Sequence, residues 1–206
     1  RRKIELLNSL VFTLPGSPIV YYGDEIGMGD NVHLGDRNGV RTPMQWTADR
    51  NGGFSKADPS KLYLPVIADA VYGYQATNVE SQRQSPHSLL HWMKQMIAVR
   101  KQHSAFGHGT VTFLRPMTDK VLAYFREYRG ETLLLVHNLA GSAQAVELDL
   151  SKFKGAVPLE LFGDSRFPAI GAHPYTLSLA PYGYYWFKLQ QRIRQDLSYG
   201  IEGSVI

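Results

Sequence analysis

Cysteine is absent from this chain of 206 residues, which excludes disulfide bonds and thiolate metal ligands. No apolar stretch approaches the ~20 residues that a membrane-spanning helix needs. No run of about five like charges occurs, and the net charge of +4 comes from Lys and Arg scattered among Asp and Glu. These absences argue against nucleic-acid and membrane partners, and zero cysteine fits a reducing compartment, so we expect a cytoplasmic location.

The sequence motifs of several common enzyme classes are also missing. The seven histidines are dispersed without an H-E-x-x-H spacing, so we assign no metal ligand and no cofactor to this chain. Neither a phosphate-binding P-loop, a dinucleotide-binding glycine pattern nor a G-x-S-x-G nucleophile motif occurs. With 44% apolar and 19% charged residues, the composition predicts a globular protein with a sizeable core.

Helical periodicity predicts two helices in the first half of the chain. Apolar residues recur every three or four positions in RRKIELLNSLVFTLPG, which predicts a helix over residues 2–14. The short apolar run at residues 19–22 then predicts a strand buried on both faces, as in a sheet covered by helices. Residues 29–84 have little period, and Ser85 with Pro86 is predicted to begin the second helix. Helix, turn and buried strand together indicate half of an α/β repeat.

The period of the apolar residues changes to two after His103. The residues Arg129-Gly130 predict a hairpin turn between two strands. We therefore predict an antiparallel β-sandwich over residues 104–189, after an α/β part in residues 1–103 that fits either a parallel sheet or the last part of a (β/α)8 barrel, with residues 190–206 as a linker or tail. The predicted strands are residues 110–115, 121–128, 132–138, 145–150, 157–161, 175–179 and 182–189.

The segment GDRNGVRTPMQW carries the main candidate site. After the last strand of a barrel, this loop would lie at the face where barrel enzymes build their active sites, with Asp36, Arg37, Arg41 and Trp46 near substrate. An arginine fork can bind neighbouring hydroxyls or a carboxylate, and it does not lose its charge. The alternative is that the two arginines pair with loop carboxylates such as Glu25 and hold the loop in place without a ligand.

Other candidate residues offer less. Asp24 and Glu25 follow the predicted buried strand, where we expect an ion pair with a loop arginine. Tyr184, Tyr185 and Trp186 form either a sugar-stacking face or part of the sandwich core. Cleavage of a glycosidic bond usually requires two carboxylates at close range, and we assign no such pair here. We therefore predict no catalytic residue in this chain.

Two stretches resemble a known enzyme family. The segment PGSPIVYYGDEIGMGDNVHLGDRNGVRTPMQW, followed by NGGFS, and the later YGYQATNVESQRQSPHSLLHWMKQMIAVRK are similar to the trehalose synthases, maltose α-D-glucosyltransferases of the α-amylase family. The resemblance extends over residues 1–189. The gap between the strand and the arginines is short, whereas oligo-α-1,6-glucosidases and sucrose isomerases have a longer one. The alternatives are an α-glucosidase of the same family and a non-catalytic carbohydrate-binding module.

This resemblance implies a (β/α)8 barrel followed by a C-terminal β-sandwich, with maltose, trehalose and glucose as ligands. It places the nucleophilic Asp, the acid/base Glu and the stabilising Asp on earlier barrel strands, so the chain alone is expected to be inactive. The missing N-terminal barrel portion is then its partner, and a homo-oligomer is compatible with the resemblance. Calcium, present in many family members, would be bound by earlier segments. Arg41 and Arg37 match loop arginines that border the sugar pocket, and Asp36 beside them is a further candidate for substrate binding.

Overall fold

The computed structural model describes residues 1–190. Of the predicted linker or tail, residue 190 is described and residues 191–206 lie outside the described part. Within the described part, no helix is long and apolar enough to cross a membrane. The helices are α1 (Arg2–Thr13), α2 (Val79–Gln84), α3 (Leu89–Gln102) and α4 (Ser104–His108). The strands are β1 (Thr110–Phe113), β2 (Val121–Tyr128), β3 (Glu131–Asn138), β4 (Gln144–Leu148), β5 (Val157–Glu160), β6 (Tyr175–Leu179) and β7 (Tyr184–Gln190).

Both predicted helices are confirmed, but the start of the second one differs. Helix α3 begins after Ser88, whose side chain accepts a hydrogen bond from the backbone N–H of His91. Ser85, the predicted N-cap, is instead the C-cap residue of α2, a helix that the sequence analysis missed. Helix α2 is short and polar and is capped by the side chain of Asn78, so it shows no apolar period.

The predicted buried strand over residues 19–22 is wrong for this structure. These residues form no strand, and Ile19 is 87% exposed. A strand of a parallel sheet is stabilised by hydrogen bonds to its neighbours, and no strand within residues 1–190 pairs with this segment. The apolar pattern therefore indicates which residues can be buried, while the strand itself requires partners that the described residues do not supply.

All seven strands predicted in the second half are confirmed, with ends that differ by two residues or fewer. They form a five-stranded antiparallel sheet in the order β1-β2-β3-β7-β5 and a two-stranded sheet of β4 and β6. The hairpin between β2 and β3 turns at Arg129 and Gly130, whose φ angles are 46° and 83°. Two consecutive positive φ angles are typical of the type I′ turn that suits a two-residue hairpin. The division at residues 103 and 104 stays a prediction.

The five-stranded sheet is buried on both of its faces. Because side chains alternate along a strand, Leu134 and Val136 of β3 pack toward the two-stranded sheet, and Leu133 and Leu135 pack toward the helices. Trp186 lies on the helical side, is fully buried, and donates from its indole N–H to the Ser9 hydroxyl of α1 at 2.8 Å. The core interpretation of Trp186 is therefore confirmed.

A buried arginine joins the sandwich to the helices. Arg126 of β2 is 1% exposed and donates to the carbonyl of Thr13 at 2.7 Å, at the end of α1. Its second terminal nitrogen donates to the carbonyls of Phe106 and Gly109 at 2.9 and 3.0 Å, around the end of α4. Carbonyls at helix C-termini carry partial negative charge, so this guanidinium stabilises two helix ends at once.

Candidate functional site

The predicted site loop is ordered by tight turns that bring separate parts of its backbone together. Residues Asp36–Val40 form one turn of 3-10 helix, with Asp36 at a φ of 54°. The carbonyl of Gly39 accepts a hydrogen bond from the backbone N–H of Asn31 at 3.0 Å. A side-chain carbon at Gly39 would lie 2.7 Å from the Asn31 carbonyl oxygen, so only glycine fits there.

The residues that follow Arg41 anchor the loop in the protein interior. Thr42 and Gln45 are fully buried. The side-chain amide of Gln45 donates to the carbonyls of Tyr72 and Thr77, and its own backbone carbonyl accepts from Val79 at the start of α2. This part of RTPMQW packs the loop, and it holds Arg41 at the edge of a fixed segment.

A second turn presents two aromatic side chains. Asn51, Gly52 and Gly53 all have positive φ angles, and the Gly52 carbonyl accepts from the backbone N–H of Trp46 at 2.7 Å. The buried amide of Asn51 donates to the carbonyls of residues 55 and 57 at 2.9 and 2.8 Å. Trp46 and Phe54 consequently stand on either side of a braced turn, and each remains about half exposed.

These segments enclose a cavity of about 450 Å³. Its walls combine aromatic rings with a few polar groups, the composition expected of a pocket for a small organic ligand. The hydroxyl of Tyr22 donates to the carbonyl of Thr42 at 2.9 Å and thereby joins two walls. The lining residues are Tyr22, Glu25, Arg41, Thr42, Pro43, Met44, Trp46, Phe54, Leu62, Tyr63 and Leu64.

The structure separates the three predicted site residues. Arg41 lines the cavity. Arg37 and Asp36 lie in the preceding 3-10 turn, are exposed, and are not among the residues that line the cavity. No ion pair joins Arg37 or Arg41 to a carboxylate within residues 1–190, which speaks against the alternative of a purely ion-paired scaffold. Substrate contact by these three residues stays a prediction.

Among residues 1–190, neither Asp24 nor Glu25 forms the expected ion pair with a loop arginine. Asp24 accepts from the backbone N–H of Tyr21 at 3.1 Å, and Glu25 accepts from the N–H of Gly23 at 2.8 Å. Both carboxylates therefore stabilise the local turn, because each satisfies a nearby backbone donor. Glu25 also lines the cavity.

The charge of Arg41 acts on its neighbour in the cavity wall. Burial raises the pKa of the Tyr22 hydroxyl, Tyr21 raises this pKa further, and the positive charge of Arg41 opposes both effects. The Thr42 hydroxyl is buried in the same wall and has no hydrogen-bond partner among residues 1–190. The cavity wall therefore combines the guanidinium of Arg41 with the phenol of Tyr22, and the Thr42 hydroxyl is buried behind them.

The residues that the structure describes contain no cluster of acidic or histidine side chains typical of a metal site. No three His, Asp or Glu side chains come together within residues 1–190 in an arrangement that could hold a metal ion. The expectation that calcium would be bound by segments outside this chain stays a prediction.

The sequence analysis missed the aromatic residues of the cavity other than Trp46. Tyr22 was attributed to a buried strand, and Phe54 and Tyr63 lie in a loop without periodicity. A local signal exists, because NGGF and LYLP each place an aromatic residue beside turn-forming residues. Their convergence on one cavity depends on long-range packing, which a local pattern does not encode.

Comparison with known proteins shows similarity to both halves of the chain. Residues 1–109 match the alpha amylase catalytic domain family, and residues 111–186 match the maltogenic amylase C-terminal domain family. A trehalose synthase of Pimelobacter sp. (strain R48) is 56% identical over 91% of this chain and 33% of its own length. A trehalose synthase/amylase of Mycobacterium tuberculosis (strain H37Rv) is 53% identical over 92% of this chain and 32% of its own length.

Solved structures show the same fold. The crystal structure of the trehalulose synthase MutB from Pseudomonas mesoacidophila MX-45 superimposes with a TM-score of 0.71 at 24% identity, covering 92% of this chain and 38% of that one. The chain spans about a third of the length of these relatives. The resemblance noted in the sequence is thus confirmed, as is the predicted combination of a partial (β/α)8 barrel with a β-sandwich. The chain belongs to the α-amylase family.

Proposed function

We propose that this chain is part of a trehalose synthase that interconverts maltose and trehalose. The observation that carries the proposal is the 56% identity to a trehalose synthase over nine-tenths of the chain. The aligned region covers 91% of this chain. The cavity around Arg41 would then form one wall of the sugar pocket, and the catalytic acids would come from barrel segments outside this chain.

The reaction implied by the family resemblance is a retaining double displacement. A carboxylate attacks the anomeric carbon of maltose, the glycosidic bond breaks, and the acid/base residue gives its proton to the departing glucose. The anomeric hydroxyl of that glucose then attacks the glucosyl enzyme, breaks the bond to the carboxylate, and returns a proton to the acid/base residue. If water attacks in its place, the product is a second glucose.

The residues of this chain would bind the sugar and exclude water. The guanidinium of Arg41 carries several donors in a fixed plane, which suits adjacent sugar hydroxyls. The rings of Tyr22, Trp46 and Phe54 line the same cavity and offer apolar surface to the C–H faces of a pyranose. A dry pocket favours attack by glucose because it lowers the access of water to the glucosyl enzyme.

Variants of the full-length enzyme that contains this chain would test the proposal. With maltose as substrate, the wild type should form trehalose as its main product. Arg41→Ala should lower kcat/KM by about 10- to 100-fold, as expected for loss of one charged contact to substrate. Arg115→Ala removes an exposed arginine near the end of β1 and should leave kcat/KM unchanged. Equal activity of wild type and Arg41→Ala would remove Arg41 from the substrate pocket.

The second candidate is a hydrolase of the same family, since the similar Mycobacterium tuberculosis protein is named a trehalose synthase/amylase. A hydrolase would release glucose from maltose with little trehalose, so product analysis separates the two functions. The carbohydrate-binding module is less favoured, because residues 1–109 match a catalytic domain. A cytoplasmic location remains our expectation, to be tested by cell fractionation.

A further inference from the structure

Gln45 is the one residue among residues 41–46 that does not line the cavity. The other five residues of this segment all do. Gln45 is fully buried, so its side chain enters the protein interior behind the cavity wall. A residue in this place has no contact with a ligand in the cavity, and it can affect one only through the residues beside it.

The side chain of Gln45 is held by two backbone carbonyls. Its amide nitrogen donates to the carbonyl of Tyr72 at 3.0 Å and also to the carbonyl of Thr77. Because a carbonyl accepts hydrogen bonds and does not donate them, the nitrogen rather than the oxygen of the amide must face both groups. An apolar side chain at this position would leave both carbonyls without this donor.

The backbone of the same segment is joined to the start of α2. The carbonyl of Gln45 accepts from the N–H of Val79 at 3.0 Å. The carbonyl of Trp46 accepts from the N–H of Glu80 at 2.9 Å. Both N–H groups belong to the first turn of α2, where the helix itself supplies no acceptor. Side chain and backbone therefore attach this part of the cavity wall to one support.

The support is fixed by buried contacts within this chain. The side chain of Gln82 in α2 donates to the carbonyl of Ile26 at 2.6 Å and accepts from the N–H of Leu90 in α3 at 3.0 Å. Ile26 and Leu90 also pack with Met44 and Val79 in one buried apolar cluster. These contacts lie behind the cavity wall, so they do not depend on what covers the mouth of the cavity.

We propose that Gln45 is a positioning residue that holds Arg41 in place for substrate binding. This inference rests on the proposed function, in which Arg41 binds sugar hydroxyls. Three residues separate Gln45 from Arg41 along the chain, and one of them, Thr42, is fully buried. Displacement of a substrate-binding group by about 1 Å can lower the rate by up to ~100-fold. An anchor behind the cavity wall therefore affects sugar binding without contact to the sugar.

The test measures kcat and KM separately in the full-length enzyme with maltose as substrate. Gln45→Met keeps the length of the side chain and removes both of its hydrogen bonds. KM should rise by about 3- to 10-fold, because a displaced guanidinium binds the sugar less well. A purely structural defect would reduce the amount of folded enzyme, which lowers the apparent kcat and leaves KM unchanged. Gln102→Met, the matched control, replaces an exposed glutamine at the end of α3 and should keep both constants.

A second comparison shows whether Gln45 acts through Arg41. In an enzyme that already carries Arg41→Ala, Gln45→Met should raise KM by less than about twofold further, because the group that it positions is gone. Gln45→Asn keeps an amide that is one methylene shorter, so its KM should lie between those of the wild type and Gln45→Met. If Gln45→Met does not fold, Gln45→Asn takes its place in both comparisons.

The outcomes separate this inference from the proposed function. A wild-type KM in the Gln45 variant would overturn the inference. An equal rise in KM with and without the Arg41 side chain would also overturn it, because Gln45 would then act independently of Arg41. The proposed function is judged by the product. If the wild type releases glucose from maltose and forms no trehalose, that function fails, while KM for maltose hydrolysis still tests Gln45.

Discussion

His137 should make the stability of the fold depend on pH. The ring is fully buried on β3 and its Nε2 lies 2.8 Å from the Ser9 hydroxyl of α1. It lies between the rings of Tyr124 and Tyr184, at centroid distances of 5.7 and 6.2 Å. Its Nδ1 has no hydrogen-bond partner among residues 1–190. Burial without a counter-charge lowers the pKa of His137 to about 3, from a usual value of 6.5.

The direction of the effect follows from which state binds more protons. Between pH 6.5 and 3 the unfolded chain carries a protonated His137, whereas the folded chain holds it neutral. Stability is therefore complete above the usual pKa and is lost as the pH falls toward the folded-state value. Between pH 7 and pH 5 this amounts to about 2 kcal/mol, since each pH unit well inside the window contributes ~1.4 kcal/mol.

Urea unfolding at several pH values measures this contribution, with the fluorescence of buried Trp186 as the signal. His137→Gln removes the titrating ring, so the free energy of unfolding should fall by about 2 kcal/mol less between pH 7 and 5 than in wild type. His33→Gln removes an exposed histidine and should follow the wild type. All other titratable groups are common to the proteins compared, so their contributions cancel in the difference.

Equal pH dependence in wild type and His137→Gln would refute the reasoning. It would mean that the folded protein accepts a proton on this ring, through rearrangement or entry of water. The absolute stability of His137→Gln does not decide the question, because a packing defect shifts the free energy at every pH by a similar amount.

Two further substitutions test the packing that supports the site. Arg126→Met should destabilise the fold by about 2–4 kcal/mol, because the carbonyls of Thr13, Phe106 and Gly109 lose their hydrogen-bond donor. The substitution also removes a buried charge. Arg126→Lys should recover part of this loss, and Arg115→Met should have no effect in the same urea titration. Gly39→Ala should destabilise by about 1–3 kcal/mol through the clash with Asn31, and an unchanged unfolding midpoint would show that the two loop segments can separate.

The sandwich could be predicted because its signal is local. The alternation of apolar and polar side chains predicts the strands β2, β3 and β7. The turn residues Arg129-Gly130 predict the hairpin between β2 and β3. The order of strands within the sheet was not predictable, since β7 pairs with β3 and β5 across long sequence separations. Residues 19–22 were predicted wrongly. They have the apolar composition of a buried strand, but a strand also requires hydrogen bonds to neighbouring strands.

The site could be predicted only in part, for a similar reason. Arg41 could be predicted because the segment GDRNGVRTPMQW places charged residues beside glycine and proline. The same pattern also predicts Arg37, which does not line the cavity. Arg37 belongs to the 3-10 turn at Asp36–Val40, whereas the cavity lining of this loop begins at Arg41. Tyr63 belongs to the cavity through the folding of the long segment without periodicity at residues 29–84, which no short pattern reveals.

The central claim is that this chain closes one side of a pocket in which glucose released from maltose is retained and re-used. The most direct measurement gives the full-length enzyme unlabelled maltose together with an excess of ¹³C-labelled glucose and examines the trehalose formed. The account predicts trehalose that is largely free of label, because both halves come from one maltose molecule. Trehalose in which one half carries the label of the added glucose would contradict it.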